Sequence, residues 1–166
     1  MWVIFLIALI PAFTGFLYYS PALAGNAWMK ENGFTPESLQ EGNMVKMMGL
    51  SYLAALFIAG GLLPMVIHQL GFYSVFSEVP GFDEAGSAVK QTFDGLIAEY
   101  GDVSRNFGHG AFHGALTAIF LIAPALAMNA IFERKSFRLW LIHTIYFTIT
   151  LALMGGCVAQ FMPNPF

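Results

Sequence analysis

Charge and cysteine are both scarce in this chain, and their scarcity excludes several kinds of protein. Only 10% of the 166 residues are charged, and no basic run is interleaved with aromatic residues, so no nucleic-acid partner is expected. Cys157 is the only cysteine, which excludes an internal disulfide framework. There is no Gly-x-Ser-x-Gly turn, no phosphate-binding loop and no pair of carboxylates in an apolar segment. An enzyme is not excluded, but no residue pattern favours one, and neither a catalytic residue nor a specific cofactor can be named.

Hydrophobic residues, in contrast, make up 57% of the chain, and the mean hydropathy is +0.66. In water such a chain would expose much apolar surface, so a lipid bilayer is its expected environment. Four segments without Asp, Glu, Lys or Arg approach or exceed the ~20 residues that cross ~30 Å of hydrocarbon. The prediction is an all-α polytopic membrane protein with four transmembrane helices in one domain over residues 1–166. The predicted spans are Trp2–Tyr19, Met47–Ile67, Ala111–Phe132 and Leu139–Met162.

Two short patterns occur twice in the sequence. Pro-Ala-Leu-Ala-x-Asn-Ala follows the first predicted span and closes the third, and a Gly-Gly pair lies late in the second and in the fourth. A tandem duplication of a two-helix hairpin explains both patterns, with repeats over about 1–70 and 109–166. Both hairpins would face the same way, related by a pseudo-two-fold axis along the membrane normal. The matched positions are Pro21, Asn26, Gly60 and Gly61 in the first repeat and Pro124, Asn129, Gly155 and Gly156 in the second.

Each kind of repeated residue has an expected role. The prolines should bend the odd-numbered spans, and Pro11 and Pro64 should likewise distort the first and second spans. The asparagine after each bend is expected to bond backbone carbonyls that the proline frees, with a substrate-binding pair as the alternative. The glycine pairs should allow close helix approach, which is a main source of helix association in lipid.

Basic residues favour one orientation of the spans. The loops at 20–46 and 133–138 together hold five Lys and Arg residues, whereas the loop at about 71–108 holds two, among six acidic residues. Loops rich in Lys and Arg tend to stay in the cytoplasm. We therefore expect both termini and the acidic loop outside, and the other two loops inside.

The acidic loop is too long for a plain connection, and part of it has helical periodicity. Apolar residues recur at helical spacing from Ala85 to Tyr100, and Asp83 could cap the start. This pattern predicts a short amphipathic helix on the membrane surface or over the mouth of the bundle. A packed loop with one helical turn is the alternative.

Three histidines could form a metal site. His109 and His113 are four residues apart at the start of the third span, so both imidazoles lie on one helical face. His68 ends the second span at the same predicted level, so three nitrogen ligands could converge, as a metal ion or haem would require. The alternatives are interfacial histidines that hydrogen-bond to loop backbone and a proton-linked role.

A second polar group is predicted in the cytoplasmic half of the bundle. Tyr18 and Tyr19 end the first span, while His143 and Tyr146 share a face of the fourth. An ionisable residue in a span is costly to bury without a partner, so this group is a candidate ligand site, for example for a quinone or a lipid headgroup. In the alternative, His143 is a neutral imidazole bonded to Tyr18 or Tyr19, which would lock the two repeats together.

Residues in both repeats carry a family resemblance. They are Tyr19-Ser20-Pro21, Gly25 and Trp28-Met29-Lys30, then His113-Gly114, Asn129, Phe132-Glu133, Ser136, Leu139, Ile142 and Ala152-Leu153-Met154-Gly155. On these residues the chain resembles DUF1761, a family of small bacterial integral membrane proteins of unknown function; the loop at about 71–102 lies outside the resemblance. The resemblance implies a four-helix protein of the bacterial cytoplasmic membrane, and it implies no activity, cofactor or catalytic residue.

Three hypotheses describe the function. The favoured one is a non-enzymatic membrane module or accessory subunit that packs against other membrane proteins or against itself, since no span carries a charged site. The second is a protein that binds a metal, haem, quinone or lipid through His68, His109 and His113 or through the cleft at Tyr18 and His143. The third is a small transporter that works as an oligomer, because four helices enclose little space.

Overall fold

The computed structural model describes residues 2–164, and every regular element in that range is helical. The predicted all-α fold is therefore confirmed for these residues. A 3₁₀ turn (Ser38–Gln40) precedes the fourth helix, and a π-helical segment (Ala118–Ile122) joins the seventh to the eighth. The helices are α1 (Val3–Ile7), α2 (Ile10–Tyr18), α3 (Gly25–Asn32), α4 (Met44–Val66), α5 (Gln69–Phe76), α6 (Ala88–Tyr100), α7 (Phe107–Thr117), α8 (Ala123–Phe132) and α9 (Phe137–Phe161).

Three helical stretches are long and apolar enough to cross a membrane: α4, α9 and the continuous stretch Phe107–Phe132 that contains α7 and α8. They correspond to the second, fourth and third predicted spans, and their composition fits a membrane protein. The N-terminal apolar stretch Val3–Tyr18 is shorter.

Each of these three stretches begins between two and four residues earlier than predicted, because a polar residue caps its first turn. The side-chain oxygens of Asn43, Asn106 and Ser136 each accept the amide hydrogen of the residue three positions later. Such a cap satisfies an amide that the helix itself leaves without a partner. A prediction from hydropathy places the start of each helix too late, because the capping residue and some of its neighbours are polar.

Pro11 divides the N-terminal apolar stretch into two helices, as its position predicts. α1 ends at Ile7, and α2 starts three residues later. Pro11 has no amide hydrogen to donate to the Ile7 carbonyl oxygen, so one bond of the helical ladder is missing. Near the end of α4, Pro64 is followed by a stop at Val66, and Ile67 is extended, with φ −96° and ψ 90°.

α7 and α9 touch backbone to backbone along a seam of glycines. A Cβ on Gly110 would lie 2.1 Å from the carbonyl oxygen of Gly155, and one on Gly114 would lie 1.9 Å from that of Leu151. A Cβ on Gly156 would lie 2.5 Å from an aromatic ring of α7. At Gly110 and Gly114 the neighbouring atoms are backbone, so no side chain fits there and only glycine permits the contact. The seam fixes the rotation of α7 about its axis.

The glycine pair in α4 makes no such contact. A Cβ on Gly60 or on Gly61 would meet no atom within 4 Å. The prediction that this pair supports close helix approach is therefore wrong for contacts inside the chain. At the register set by the repeated Pro-Ala-Leu-Ala, the two seam glycines of α7 correspond to Ile7 and Pro11. On either side of the glycine pair of α4, Ala59 and Leu62 pack in the core.

The repeated Pro-Ala-Leu-Ala segments also differ in local structure. Pro21 lies in a turn between α2 and α3, whereas Pro124 lies in the first turn of α8, after the π-helical segment. Asn26 donates to the carbonyl oxygen of Pro21 itself at 3.1 Å. The exposed side chain of Asn129 makes no hydrogen bond with residues 2–164. Asn26 therefore bonds to the carbonyl of the proline itself and not to one that the proline frees, and Asn129 makes neither bond within the described residues.

Residues 68–106, which we call the cap, contain α5 and α6. These helices pack together around Phe82 and Phe93, which are 6% and 2% exposed. α6 lies in the predicted amphipathic segment, but Ser87 caps it instead of Asp83: the Ser87 oxygen accepts the amide hydrogen three residues later at 3.2 Å. A glycine with a φ of +79° lies between the two and turns the chain off a helical path, which leaves Asp83 outside the helix.

Candidate metal centre

The first two turns of α7 carry His109 and His113. Asn106 caps the helix, and the glycine that follows each histidine packs on α9. Consecutive residues of an α-helix are turned by about 100° from each other, so both imidazoles lie on a face adjacent to the seam. In each His-Gly dipeptide, the glycine packs on α9 and the histidine contributes an imidazole to the site.

His68 reaches the same place from the end of another span. α4 has just ended, Ile67 is extended, and His68 occupies the N-cap position of α5. The next side chain, Gln69, is buried and donates from Nε2 to the carbonyl oxygens of Tyr100 and Val103, at 3.4 and 3.0 Å. These bonds close the base of the cap and hold the backbone next to His68.

The three imidazoles converge. Nε2 of His68 lies 2.9 Å from Nε2 of His109, which is a hydrogen-bonding distance. The ring centroid of His113 lies 4.7 Å from that of His68 and 4.5 Å from that of His109. One nitrogen of each ring can be chosen so that all three lie within 4.8 Å of one another. His68 is exposed and the other two are half-buried, so the group is open on one side.

The donor atoms and their spacing fit a transition-metal ion. Nitrogen ligands at about 2.0–2.1 Å from a tetrahedral ion lie about 3.3 Å apart. The His68–His109 pair, at 2.9 Å, must therefore open by about 0.4 Å, and the other pairs, all within 4.8 Å, must close by at most about 1.5 Å. Side-chain rotation can supply such shifts. No carboxylate or thiol within residues 2–164 belongs to the group. Three neutral imidazoles favour Zn²⁺, Cu²⁺ or Ni²⁺ over Mg²⁺ or Ca²⁺, and they leave a coordination position open.

The structure also brings together the second predicted group, at the opposite end of α9. The Tyr19 hydroxyl lies 2.9 Å from Nδ1 of His143, and the Tyr146 hydroxyl donates to the carbonyl oxygen of Pro11 at 2.8 Å. Tyr18 packs edge-on against Tyr19, with ring centroids 5.2 Å apart. These polar atoms have partners inside the chain, and their hydrogen bonds connect α2 to α9. A contact between His143 and Tyr19 is what the alternative to a ligand site predicts.

An apolar cleft of about 350 Å³ opens beside this second group, between α2 and α4. Tyr19, Tyr52 and Tyr146 line it, and the Tyr52 hydroxyl donates to the carbonyl oxygen of Phe5 at 3.1 Å. All three tyrosine hydroxyls therefore have partners within the chain. A ligand in the cleft would meet mainly ring faces and alkyl groups.

Two polar contacts were not predicted from the sequence. Oγ1 of Thr14 lies 2.8 Å from Oγ1 of Thr150, and both side chains are buried. The Arg105 guanidinium donates to the carbonyl oxygen of Met162 and so ties the end of the cap to the end of α9. Burial lowers the pKa of Arg105 from its ordinary value, an effect that the nearby Asp102 opposes. In both cases the available signal was a lone polar residue in or beside an apolar segment.

Comparison with known proteins gives a family and no activity. No curated protein and no solved structure matches this chain. A family model described as protein of unknown function (DUF1761) matches residues 2–159, a range that contains all three histidines of the candidate metal centre. Because the match covers nearly the whole chain, the protein belongs to the DUF1761 family, as the resemblance of its motifs indicated.

Proposed function

We propose that this protein is an integral membrane protein that binds one divalent transition-metal ion through His68, His109 and His113. The observation that carries the proposal is the convergence of three imidazoles from two separate segments of the chain. Among the described residues these rings make one side-chain hydrogen bond, between His68 and His109, so most of their nitrogens are left for a ligand. Neutral imidazole is a good ligand for zinc, copper and nickel.

The proposed topology has four crossings, with Val3–Tyr18 as the first. This stretch has no charged residue, and the hydroxyls of Thr14 and Tyr19 join it to α9. It is short for a full crossing at about 1.5 Å per residue, so we expect the bilayer to thin beside it. The hairpins at about 1–70 and 109–166 then stand side by side as a tandem duplication whose contacts have diverged.

In the proposed orientation, the cap and the metal centre face outside the bacterial cytoplasmic membrane, and the loops at 20–46 and 133–138 face the cytoplasm. Five basic residues in those loops against two in the loop at 71–108 support it. The six acidic residues of the 71–108 loop would also raise the concentration of cations near the histidines.

Zinc titration of the purified protein tests the metal site. In nanodiscs, calorimetric titration with Zn²⁺ should give one site per chain, and His113→Ala should weaken binding at least tenfold, which is about 1.4 kcal/mol. His143→Ala is the matched control, because that histidine lies at the opposite end of α9, and it should bind zinc as the unsubstituted protein does. Failure to bind zinc, copper or nickel, or normal binding by His113→Ala, would contradict the proposal.

A second candidate function is that of a module that packs against another membrane protein or against a second copy of itself. The open surface at Gly60 and Gly61 favours it, because small residues on a lipid-facing helix let another helix approach closely. Purification from membranes in a mild detergent should recover a complex or an oligomer that Gly61→Leu disrupts. Gly95→Leu, at an equally open position in the cap, should leave it intact. A lone monomer from the unsubstituted protein would count against this function.

A further inference from the structure

We infer that the metal ion fastens the cap to the helical bundle, so that metal occupancy sets how firmly the cap closes. The inference rests on the proposed metal site and adds a consequence of metal binding. Two ligands, His109 and His113, belong to a helix of the bundle, and the third, His68, begins the cap. An ion bound to all three therefore links two parts of the structure.

The bundle side of this link is rigid. α7 cannot rotate or slide against α9 without driving Gly114 into the backbone of Leu151. Beside this seam lie Met154 and Val158, both 0% exposed. Closely packed interiors of this kind resist displacement. His109 and His113 thus provide two ligands with a fixed separation along the helix.

Hydrogen bonds tie the far end of the cap to the bundle. There, Arg105 and the backbone amide of Phe107 donate to oxygen atoms at the end of α9. At the near end, Leu70 packs at the edge of the apolar core, and the buried glutamine beside it bonds to carbonyl oxygens within the cap itself. Within residues 2–164, the His68–His109 hydrogen bond is a polar link between this near end and the bundle.

A backbone hinge separates the near end of the cap from α4. Pro64 interrupts the helical hydrogen bonds, Ile67 is extended, and the next helix starts only at Gln69. The Ile67 side chain is buried in the core, so the hinge lies just after it. Rotation about the φ angle of His68 would carry its ring and the start of α5 away from α7. In the closed position of the cap, the three histidines meet. Movement at the hinge opens the cap and takes His68 away from the other two.

Metal binding should shift the balance between these positions. An ion that binds three imidazoles in the closed state and two in the open state favours the closed state by the ratio of the two affinities. If the open state binds negligibly, zinc at 100 times its Kd favours closure by about 100-fold. A neutral hydrogen bond between two imidazoles favours closure far less.

Hydrogen exchange on the full-length protein in nanodiscs, with and without Zn²⁺, tests the inference. Zinc should slow exchange of the amides at 69–76 at least tenfold and leave those around Met154 unchanged. Trypsin gives a second measurement, because Lys90 and Arg105 are the only basic residues of the cap, and zinc should slow cleavage after Lys90. His68→Asn should lose both effects at saturating zinc, whereas His143→Ala should keep them.

The outcomes separate this inference from the proposed function. One zinc ion per chain that depends on His113, with no slowing in the cap, would overturn the metal link and leave the metal site standing. Failure of the protein to bind zinc would overturn both. If His68→Asn does not fold, His109→Asn removes a ligand from the bundle side and leaves the hinge untouched. Slowing of the cap by zinc that persists in that variant would overturn the inference.

Discussion

Gly114 lies so close to Leu151 that a Cβ on the glycine would stand 1.9 Å from the leucine carbonyl oxygen. This contact lies one residue after His113, on a helix that carries two of the three converging imidazoles. Helix packing and the candidate metal centre therefore depend on the same turn of α7. A substitution that disturbs the packing should also weaken metal binding.

Gly114→Ala should force α7 away from α9. We expect it to lower the free energy of unfolding by about 1–3 kcal/mol, as over-packed substitutions do, and to weaken zinc binding as well. Thermal unfolding followed by circular dichroism in detergent measures the first effect and calorimetry the second. Gly60→Ala is the control, because a Cβ there meets no atom within 4 Å, and its melting temperature should not fall. Equal decreases in melting temperature in the two variants would contradict the close contact between α7 and α9.

Tyr19 and His143 should be energetically coupled through their 2.9 Å contact. A double-mutant cycle with Tyr19→Phe and His143→Ala should give a coupling energy of about 0.6 kcal/mol, the average for hydrogen bonds between membrane helices, and no more than about 1.7 kcal/mol, their maximum. A second cycle, with Tyr18→Phe in place of Tyr19→Phe, is the control. Its two substitutions should have additive effects on stability. Zinc affinity should be unchanged in every variant of the cycle, since the pair is remote from the three histidines. A coupling energy near zero would mean that the contact does not hold α2 to α9.

Ser87, and not Asp83, should stabilise the start of α6. Ser87→Ala removes the cap and should cost about 1 kcal/mol of local stability. Hydrogen exchange of the α6 amides should therefore accelerate in Ser87→Ala and stay unchanged in Asp83→Ala. The opposite pattern would restore Asp83 as the capping residue.

The proposed orientation can be tested by cysteine labelling, because Cys157 is the only native thiol. In a Cys157→Ala background, Asp83→Cys should react with a membrane-impermeant maleimide on intact bacterial cells. Ser38→Cys should react only after the cells are broken, because its loop is expected in the cytoplasm. Labelling of Ser38→Cys on intact cells, with Asp83→Cys protected, would invert the orientation.

Features that depend on local sequence could be predicted. Three of the predicted spans follow from long runs without charge, and the structure has helices there that are long and apolar enough to cross a membrane. The convergence of the histidines was also predictable, because i, i+4 spacing sets two rings on one face and the end of a span sets the depth of the third. The structure places His68, His109 and His113 together as that reasoning requires.

Features that depend on the partner of a residue could not be predicted in the same way. Gly60-Gly61 and Gly155-Gly156 are identical dipeptides, yet only the second pair packs against another helix. In α4 the neighbouring residues Ala59 and Leu62 are the buried ones, so within the described residues Gly60 and Gly61 lie on a face that no other helix covers. Identical dipeptides in a sequence therefore do not predict identical contacts.

The π-helical segment Ala118–Ile122 affects how the helical faces of the third span should be compared with those of a relative. The amide of Ala123 donates to the carbonyl oxygen of Ala118, five residues earlier instead of four. The wider turn holds one additional residue and rotates α8 by about 100° from a straight continuation of α7. The stripe that presents the histidines therefore does not run on into α8. Positions in α8 are best counted from Pro124, because a relative without the wider turn would present different side chains along the same length of helix.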